Sequence, residues 1–192
     1  LDWGNPGPQH DHLPFSFFYD DLMAMAIREV KRHAASESVG LLGYCMGGTM
    51  ALIHSAIHPE TVDRLTLLAS PVNFHDEGVL SKWASKEAFD VDNVIDTIDH
   101  MDSLMLQTSF LFLKPLAYYQ KIKNTYETCI DPKMFQSFVK LETWVNDNVS
   151  VPGKAYAEYV KLCYHENALM NRTFEVDNRT IDLGNVTCPV LN

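Results

Sequence analysis

Apolar residues come in short blocks along the first third of the chain, which is typical of helices alternating with buried strands. Apolar positions three and four residues apart predict an amphipathic helix over residues 16–35. The apolar runs 39–42 and 65–69 predict two buried strands, and the segment between them predicts a helix that runs to His58 and is stopped by Pro59. This order of elements predicts a parallel sheet with right-handed crossovers.

The pattern changes after residue 71, and it divides the chain into three parts. Residues 1–71 read as the first part of a sheet-based core. Residues 72–167 are helical, aromatic and acidic, without strand alternation, and predict a helical cap inserted over the sheet. Residues 168–192 return to the core, where residues 174–183 suit a hairpin or a strand and a turn and residues 188–192 predict a third core strand. The predicted fold class is therefore α/β with a large helical insertion.

Composition agrees with this organisation and excludes some functions. The chain has 192 residues, of which 46% are hydrophobic and 21% charged, as in one globular domain or one domain with a large insertion. A formal net charge of −10 argues against a nucleic-acid partner, because phosphate binding relies on clustered Lys and Arg. No apolar run approaches the roughly 18 residues needed to cross a bilayer, so we expect no membrane span.

The charge is unevenly spread over the predicted cap. Residues 76–102 hold eight acidic residues against two lysines, whereas residues 114–140 hold five lysines against two acidic residues. One interpretation is that both segments are solvated helix faces. The alternative is that the basic segment helps to hold an anionic substrate.

The four cysteines are widely separated and have neither a CxxC pair nor a zinc-like spacing to histidine. They are Cys45, Cys129, Cys163 and Cys188. A reducing compartment is the simplest inference. Three of them are expected to fill the core, and only Cys45 has a sequence context that predicts chemistry.

Cys45 lies in the pattern Gly43-x-Cys45-x-Gly47-Gly48, between a predicted strand and a predicted helix. This is the nucleophile elbow of α/β-hydrolase proteins, with Cys in place of the usual Ser. The nucleophile of such an elbow has a strained backbone, and we expect the flanking glycines to avoid clashes between strand and helix. The following helix favours a thiolate through its positive end, and the Met46 N–H is expected to be one oxyanion-hole donor.

A cysteine nucleophile also narrows the reaction. A thiolate is a stronger nucleophile than a hydroxyl group and is matched to a thioester substrate, because its attack exchanges one thioester for another. Acyl transfer therefore fits Cys45 better than amide hydrolysis does.

The chain resembles the polyhydroxyalkanoate synthases, most closely the shorter two-component type, and the resemblance covers essentially the whole sequence. The residues that carry it are Leu1-Asp2-Trp3-Gly4, Leu41-Leu42-Gly43-Tyr44-Cys45-Met46-Gly47-Gly48-Thr49, Ser70-Pro71-Val72-Asn73-Phe74, Leu113-Lys114-Pro115, Trp144 with Asp147, Val151-Pro152-Gly153, and Cys188-Pro189-Val190-Leu191-Asn192. The cysteine elbow with its double glycine and the leading Asp-Trp-Gly are together rather specific. The resemblance implies a partial α/β-hydrolase fold that carries the cap.

The resemblance also implies an activity and partners. It implies an acyltransferase that polymerises (R)-3-hydroxyacyl-CoA into polyhydroxyalkanoate, releases CoA and holds the acyl group as a thioester on Cys45. It implies a second synthase subunit, allows a homodimer, requires no cofactor and places the protein in the cytoplasm on polyester granules. The assisting Asp and His are expected beyond residue 192, so we read the chain as an excerpt that is inactive alone.

The predicted cap would cover the cysteine and open for substrate and polymer. Aromatic residues are expected to give it an apolar interior, namely Trp83, Phe89, Phe110, Phe112, Tyr118, Tyr119, Phe135, Phe138 and Trp144. Among them, Trp144 is the residue that we expect to line the acyl channel.

The histidines are expected to be structural. His54 and His58 belong to the elbow helix, which His58 is expected to end, and the group His75, His100 and His165 lies in or beside the cap. The triplet His10-Asp11-His12 offers metal-ligand atoms, but its Pro-rich surroundings favour solvated turn residues. We therefore expect no metal site.

Two other functions remain open. A cysteine hydrolase of the dienelactone-hydrolase or esterase kind shares the elbow, although it hardly needs so large a cap. A catalytically silent homologue that binds granules or a partner subunit is the alternative outside enzymes.

Overall fold

The computed structural model of the protein describes residues 1–113, 115–128 and 131–192. Its α-helices in chain order are α1 (Met23–Ala34), α2 (Met46–Ile57), α3 (Val79–Trp83), α4 (Val91–Ile98), α5 (Ser103–Leu113), α6 (Pro115–Thr128), α7 (Pro132–Asn146), α8 (Gly153–Tyr159) and α9 (Ala168–Asn171). Its strands are β1 (Val39–Tyr44), β2 (Val62–Leu68), β3 (His100–Met101), β4 (Val151–Pro152), β5 (Glu175–Val176), β6 (Arg179–Thr180) and β7 (Val190–Leu191). Two π-helical segments, Phe17–Leu22 and Val160–His165, precede α1 and follow α8.

The sheet that supports the site has the order β1-β2-β7, and both pairings are parallel. Leu41 lies opposite Leu65, and Leu65 also lies opposite Val190 on its other side. Helix α2 connects β1 to β2, as expected from an apolar run, a glycine turn and a second apolar run. The strands, the helix and the parallel sheet predicted from the pattern are confirmed.

The two long strands are covered on only one face by the described residues. Leu65 and Leu67 are buried against Ala51 and Leu52 of α2, whereas Leu42 on the other face is 68% exposed. The expectation of fully buried strands was therefore wrong for one face. Apolar runs predict burial on both faces, as in most parallel sheets, but they do not identify the element that covers each face.

Helix α2 is buried along most of its length. Every residue from Gly48 to Ala56 is buried, because the helix is apolar on all sides and lies between the sheet and a second layer. That layer contains Phe15 and Tyr19 from the first helical segment and Phe174 from the region after the cap. The packing holds the start of α2, and with it the elbow, in a fixed position.

The segment between β2 and α9 is mostly helical, with one exception. Strands β3 and β4 form a short antiparallel pair in which His100 lies opposite Pro152 and Met101 lies opposite Val151. The expectation that this segment has no strand was wrong at these positions, since a two-residue strand is too short to show alternation. The pair joins the chain before α5 to the chain after α7.

The aromatic residues of α5 and α7 are exposed in the described structure except Phe138, which is half-buried, and this corrects the expected apolar interior. Phe110 and Phe112 on α5 and Phe135 and Trp144 on α7 are all exposed, with Phe112 at 62%. No residue of α5 or α7 whose side chain is described is buried. Composition predicts apolar faces on these helices, but not the layer that would cover them. The expectations for Cys129, Lys114 and the Tyr118 side chain fall outside the described residues.

The hairpin expected near the end of the chain is confirmed. Strands β5 and β6 are antiparallel, with Val176 opposite Arg179. Asp177 and Asn178 both have positive φ, 48° and 60°, as a two-residue hairpin turn requires. In the part of the chain that is described, no helix combines the length and the apolar character needed to cross a bilayer.

Candidate active site

Cys45 lies at the junction between β1 and α2 in a strained backbone conformation. Its φ is 52° and its ψ is −127°, a combination that is rare for a residue with a side chain. Its N–H donates to the Leu68 carbonyl at 3.0 Å, and its carbonyl accepts from the Gly48 N–H at 2.9 Å. The thiol is exposed, so the expectation that the cap covers Cys45 was wrong for the residues that the structure describes. A side chain held in this way projects from the sheet edge toward solvent, as a nucleophile elbow requires.

The glycines around Cys45 differ in how strongly the structure requires them. A Cβ on Gly43 would overlap the Cα of Gly48 and would approach the Gly47 carbonyl oxygen to 2.7 Å. A Cβ on Gly48 would overlap the side chain of Ser70. A Cβ on Gly47 would meet no atom of the described chain within 4 Å. The steric reason expected for all three glycines therefore holds for Gly43 and Gly48 and is wrong for Gly47.

Met46, the expected oxyanion-hole residue, is the first residue of α2 and is half-buried. The N–H groups of Gly48 and Thr49 both donate to the Cys45 carbonyl, at 2.9 and 3.4 Å. The first N–H groups of a helix have no acceptor within it. The N–H of Met46 is thus placed beside the thiol at the positive end of α2.

Trp144 lies near the elbow, although it is far from it in sequence. Its ring centroid is 5.9 Å from that of Tyr44, with an angle of 45° between the planes. Tyr44 directly precedes Cys45, so the end of α7 packs beside the elbow. Trp144 is itself 60% exposed, which leaves most of its ring open to a ligand.

Two tyrosines near Cys45 were not identified from the sequence. Tyr159 and Tyr164 form an edge-to-face pair at 5.8 Å, and both rings pack on Phe74. Burial raises the pKa of Tyr164 to about 12, and burial also raises the pKa of Tyr159, with the negative charge of a Cys45 thiolate adding to both shifts. Both phenols are therefore neutral at physiological pH. Their only sequence signal is a spacing of five residues near the end of the cap.

A small apolar cavity opens beside the start of α2. Its volume is about 130 Å³, and its lining includes Trp3, Phe18, Met46, Gly47 and Tyr159. Trp3 belongs to the N-terminal motif that carried the family resemblance. The absence of a side chain at Gly47 leaves room for this cavity, which gives that glycine a reason other than a backbone clash.

His58, His75 and His100 make contacts of a structural kind. His58 caps the end of α2 as expected, and its Nε2 lies 2.6 Å from the Asp20 carboxylate. The His75 Nε2 lies 2.9 Å from the Tyr164 carbonyl oxygen. The expectation of a solvated triplet was wrong for Asp11, whose half-buried carboxylate lies 2.5 Å from Nδ1 of His100.

One cluster of side chains has the composition of a metal site. Asp20, His54 and His58 bring one ligand atom each to within 4.8 Å of one another. The sequence suggested only the His-x3-His spacing on α2. The carboxylate comes from another segment, so this cluster was missed.

Comparisons with known proteins agree with this geometry. A family model described as alpha/beta hydrolase fold matches residues 1–100. The chain is 31% identical over its whole length to a poly(3-hydroxyalkanoate) polymerase subunit PhaC of Haloarcula marismortui, covering 41% of that protein. It is 29% identical to the PhaC subunit of Allochromatium vinosum and 28% identical to that of Synechocystis, again over its whole length, and covers 54% and 52% of them. The chain thus spans about half the length of the curated relatives it matches, and the resemblance found in its motifs is confirmed.

Proposed function

Because the chain belongs to the α/β-hydrolase fold family, we propose that it supplies the nucleophile of an acyltransferase that polymerises (R)-3-hydroxyacyl-CoA into polyhydroxyalkanoate. Two of the relatives, from Haloarcula marismortui and Allochromatium vinosum, are named poly(3-hydroxyalkanoate) polymerase subunits. The observation that carries the proposal is the exposed Cys45 thiol at φ 52° between β1 and α2. A cysteine that only fills the core would not require this strained backbone conformation.

In the first step, Cys45 attacks the thioester carbonyl of the acyl-CoA. A bond forms between Cys45 Sγ and the carbonyl carbon, and the oxyanion accepts a hydrogen bond from the Met46 N–H. Collapse of this intermediate breaks the bond to the CoA sulfur. The Cys45 proton passes through a base to the departing CoA thiolate, so one thioester replaces another.

In the second step, the 3-hydroxyl of another hydroxyacyl group attacks the Cys45 thioester. The new ester bond forms as the carbon–sulfur bond breaks, and the hydroxyl proton returns to Cys45 through the base. The base and its carboxylate partner are proposed to be a His and an Asp that follow residue 192. The neutral phenols of Tyr159 and Tyr164 are proposed to exclude water from the thioester rather than to accept a proton.

The growing chain requires an apolar path on both sides of Cys45. The cavity that contains Trp3 and Met46 lies on one side, and Trp144 lies near the elbow on α7. We propose that the acyl chain contacts Trp144. The exposed aromatic residues of α5 and α7 are proposed to meet the second synthase subunit, a second copy of the chain or the granule surface, since exposed apolar patches of this kind mark interaction sites.

The test uses the full-length protein with its partner subunit and 3-hydroxybutyryl-CoA. Released CoA and product mass are measured for the parent, for Cys45→Ala and for Cys163→Ala as a control for the loss of a thiol, because Cys163 is buried whereas Cys45 is exposed. CoA release with high-mass polyester that is lost in Cys45→Ala and kept in Cys163→Ala is the expected result. Acid quenching should also trap an acyl group on Cys45.

Two outcomes would overturn the proposal, and each favours one alternative. CoA release with only monomeric hydroxy acid would indicate a cysteine hydrolase. Absence of CoA release from a folded parent protein would favour a silent homologue that binds granules or a partner.

A further inference from the structure

We propose that Asp20, His54 and His58 form a zinc-binding site that joins the π-helical segment Phe17–Leu22 to the end of α2. The three side chains place their ligand atoms within 4.8 Å of one another. The site lies at the opposite end of α2 from Cys45, roughly 15 Å away along the helix at 1.5 Å per residue. It is therefore a structural site that goes beyond the acyl transfer proposed above and does not depend on it.

His54 has the hydrogen bonding of a metal ligand. Its Nδ1 lies 2.8 Å from the Tyr19 carbonyl oxygen, and since a carbonyl only accepts, Nδ1 carries the ring proton. The lone pair is then on Nε2. That atom is fully buried and has no hydrogen-bond partner among the described residues. Metal-binding histidines characteristically donate their other ring N–H to a carbonyl or a carboxylate, which fixes the ligating nitrogen.

The unpaired Nε2 of His54 needs a physical explanation. A buried acceptor without a partner destabilises the folded state, and such atoms are rare in folded proteins. A metal ion on the same side as His58 and Asp20 would satisfy this atom.

His58 and Asp20 supply the other two ligand atoms. His58 Nε2 lies 2.6 Å from Asp20 Oδ1, and the His58 ring centroid is 4.8 Å from that of His54. Tetrahedral zinc with bonds of about 2.0–2.1 Å places its ligand atoms roughly 3.3 Å apart. The ion would replace the shared proton, and the two side chains would separate by less than about 1 Å.

The surroundings leave these ligand atoms available. Arg179 lies 3.7 Å from Asp20 Oδ2, which keeps Oδ1 for the metal. Glu60 lies 4.0 Å from His58 Nδ1, where its negative charge favours a proton on that nitrogen. Asp20 and His58 are partly exposed, so one side is open to ion entry and to a water as fourth ligand. The negative end of α2 also favours a cation.

The donor set indicates zinc rather than magnesium or calcium. Two imidazoles and one carboxylate suit zinc, whereas Mg²⁺ and Ca²⁺ prefer oxygen ligands alone. The two histidines lie one helical turn apart on α2, and the carboxylate comes from a different segment. Zinc would therefore link two elements of the core.

The experiment measures binding of Zn²⁺ alone to the full-length protein by calorimetry after chelator treatment. All variants carry Cys45→Ser, which removes the exposed thiol as a competing ligand. In His54→Asn the side-chain amide can still donate to the Tyr19 carbonyl while the ligating nitrogen is lost. His12→Asn is the matched control, because His12 is exposed and belongs to the triplet His10-Asp11-His12, which also offers metal-ligand atoms.

The expected result is one zinc per chain in the parent and in His12→Asn, with affinity at least about 10-fold lower in His54→Asn. Zinc should raise the thermal midpoint of the parent and of His12→Asn but not that of His54→Asn, and Co²⁺ should give the intense absorption of a tetrahedral site. Should His54→Asn fail to fold, Asp20→Asn serves instead, since its amide can still bond to His58. Equal affinity in the parent and His54→Asn, loss of zinc only in His12→Asn, or no zinc binding to the parent would each overturn the proposal. Acyl transfer is not part of this test, so the two proposals fail separately.

Discussion

The ring of Trp144 on α7 packs 5.9 Å from the ring of Tyr44, the residue that directly precedes Cys45. The two residues are one hundred positions apart in the sequence. Because Tyr44 ends β1 and Trp144 lies two residues before the end of α7, this contact links the helical insertion to the elbow. A displacement of α7 would therefore change the surroundings of Cys45.

Removal of the Trp144 ring should reduce acyl transfer more than it reduces stability. An aromatic pair contributes about 0.5–1.5 kcal/mol, so Trp144→Ala should lower the free energy of unfolding by no more than this. The rate of CoA release should fall about 10-fold or more, since the acyl chain would lose its proposed contact. Unfolding by denaturant and single-turnover CoA release measure the two effects.

Trp83→Ala is the matched control for this prediction. Trp83 lies on α3 and is exposed to a similar degree, so its removal should leave the rate of CoA release unchanged. Tyr44→Ala should act like Trp144→Ala, and the double variant should lose less than the sum of the two. Additive losses would show that the Tyr44–Trp144 contact does not couple the two residues.

Replacement of the elbow glycines by alanine should change the free energy of unfolding by different amounts at different positions. Gly43→Ala should lower the free energy of unfolding by at least about 2 kcal/mol, because its Cβ would overlap the backbone of Gly48. Gly47→Ala should keep or raise the free energy of unfolding, by up to about 1 kcal/mol, since its Cβ enters open space and alanine favours the helix. Denaturant unfolding of the full-length variants measures both.

A second-site change tests the steric origin of the effect at Gly48. The Cβ of Gly48→Ala would overlap Ser70, so the added substitution Ser70→Gly should restore part of the lost stability. The same substitution should not rescue Gly43→Ala, whose clash is with backbone atoms. Rescue of both or of neither would contradict the geometry described for the elbow.

The sequence was sufficient to predict β1, α2, β2 and β7. Short apolar runs interrupted by glycine and proline leave few alternatives to a parallel sheet with a connecting helix. The elbow could be predicted because its chemistry is local, with all its residues within six positions of one another. The hairpin turn at Asp177 and Asn178 could be predicted for the same reason, because it depends on neighbouring residues in the sequence.

Features that depend on distant contacts could not be predicted in this way. Burial of the aromatic residues on α5 and α7 depends on which element packs over them, and periodicity does not identify that element. Strands β3 and β4 are two residues each, too short to alternate. Asp20 meets His54 and His58 only after Phe17–Leu22 packs on α2, so no spacing in the sequence points to the cluster.

The stability of the protein should fall as the pH rises above about 10. Burial raises the pKa of Tyr164 from 10.0 to about 12 and also raises the pKa of Tyr159. Between the unfolded and folded pKa values the unfolded chain has lost protons that the folded chain keeps. The free energy of unfolding therefore decreases with increasing pH in this range, and the stabilisation is fully present only below it. Denaturant unfolding at about pH 9 and about pH 11 measures the loss.

Tyr164→Phe isolates one contribution to this pH dependence. It removes one titrating phenol and keeps the ring contacts with Phe74 and Tyr159, so the loss between the two pH values should be smaller than in the parent. Tyr44→Phe is the comparison for the loss of a phenol hydroxyl from an exposed side chain. An identical pH dependence in the parent and Tyr164→Phe would show that the buried phenol does not contribute.

The side chain of Asn167 should contribute to the free energy of unfolding beyond the effect of its left-handed backbone conformation. It is buried in the left-handed region at φ 45°, its Oδ1 accepts from the Phe74 N–H at 3.1 Å, and its Nδ2 donates to Asn73 Oδ1 at 2.8 Å. These bonds hold the chain after β2 against the start of α9. Asn167→Ala would leave the buried Phe74 N–H without this acceptor, at a cost of about 1–3 kcal/mol in addition to the strain of a left-handed alanine.

Asn178→Ala separates the two contributions. Asn178 is exposed and left-handed at φ 60°, so its replacement carries the conformational cost without the buried hydrogen bonds. The loss in free energy of unfolding should be about 1–3 kcal/mol larger for Asn167→Ala than for Asn178→Ala. Asn167→Gly relieves the backbone strain but not the loss of the hydrogen bonds. It should therefore recover only the smaller part of the free energy of unfolding that Asn167→Ala loses. Equal losses at the two positions would mean that the Asn167 side chain does not hold the two segments together, and that packing around Phe74 alone fixes the base of the cap.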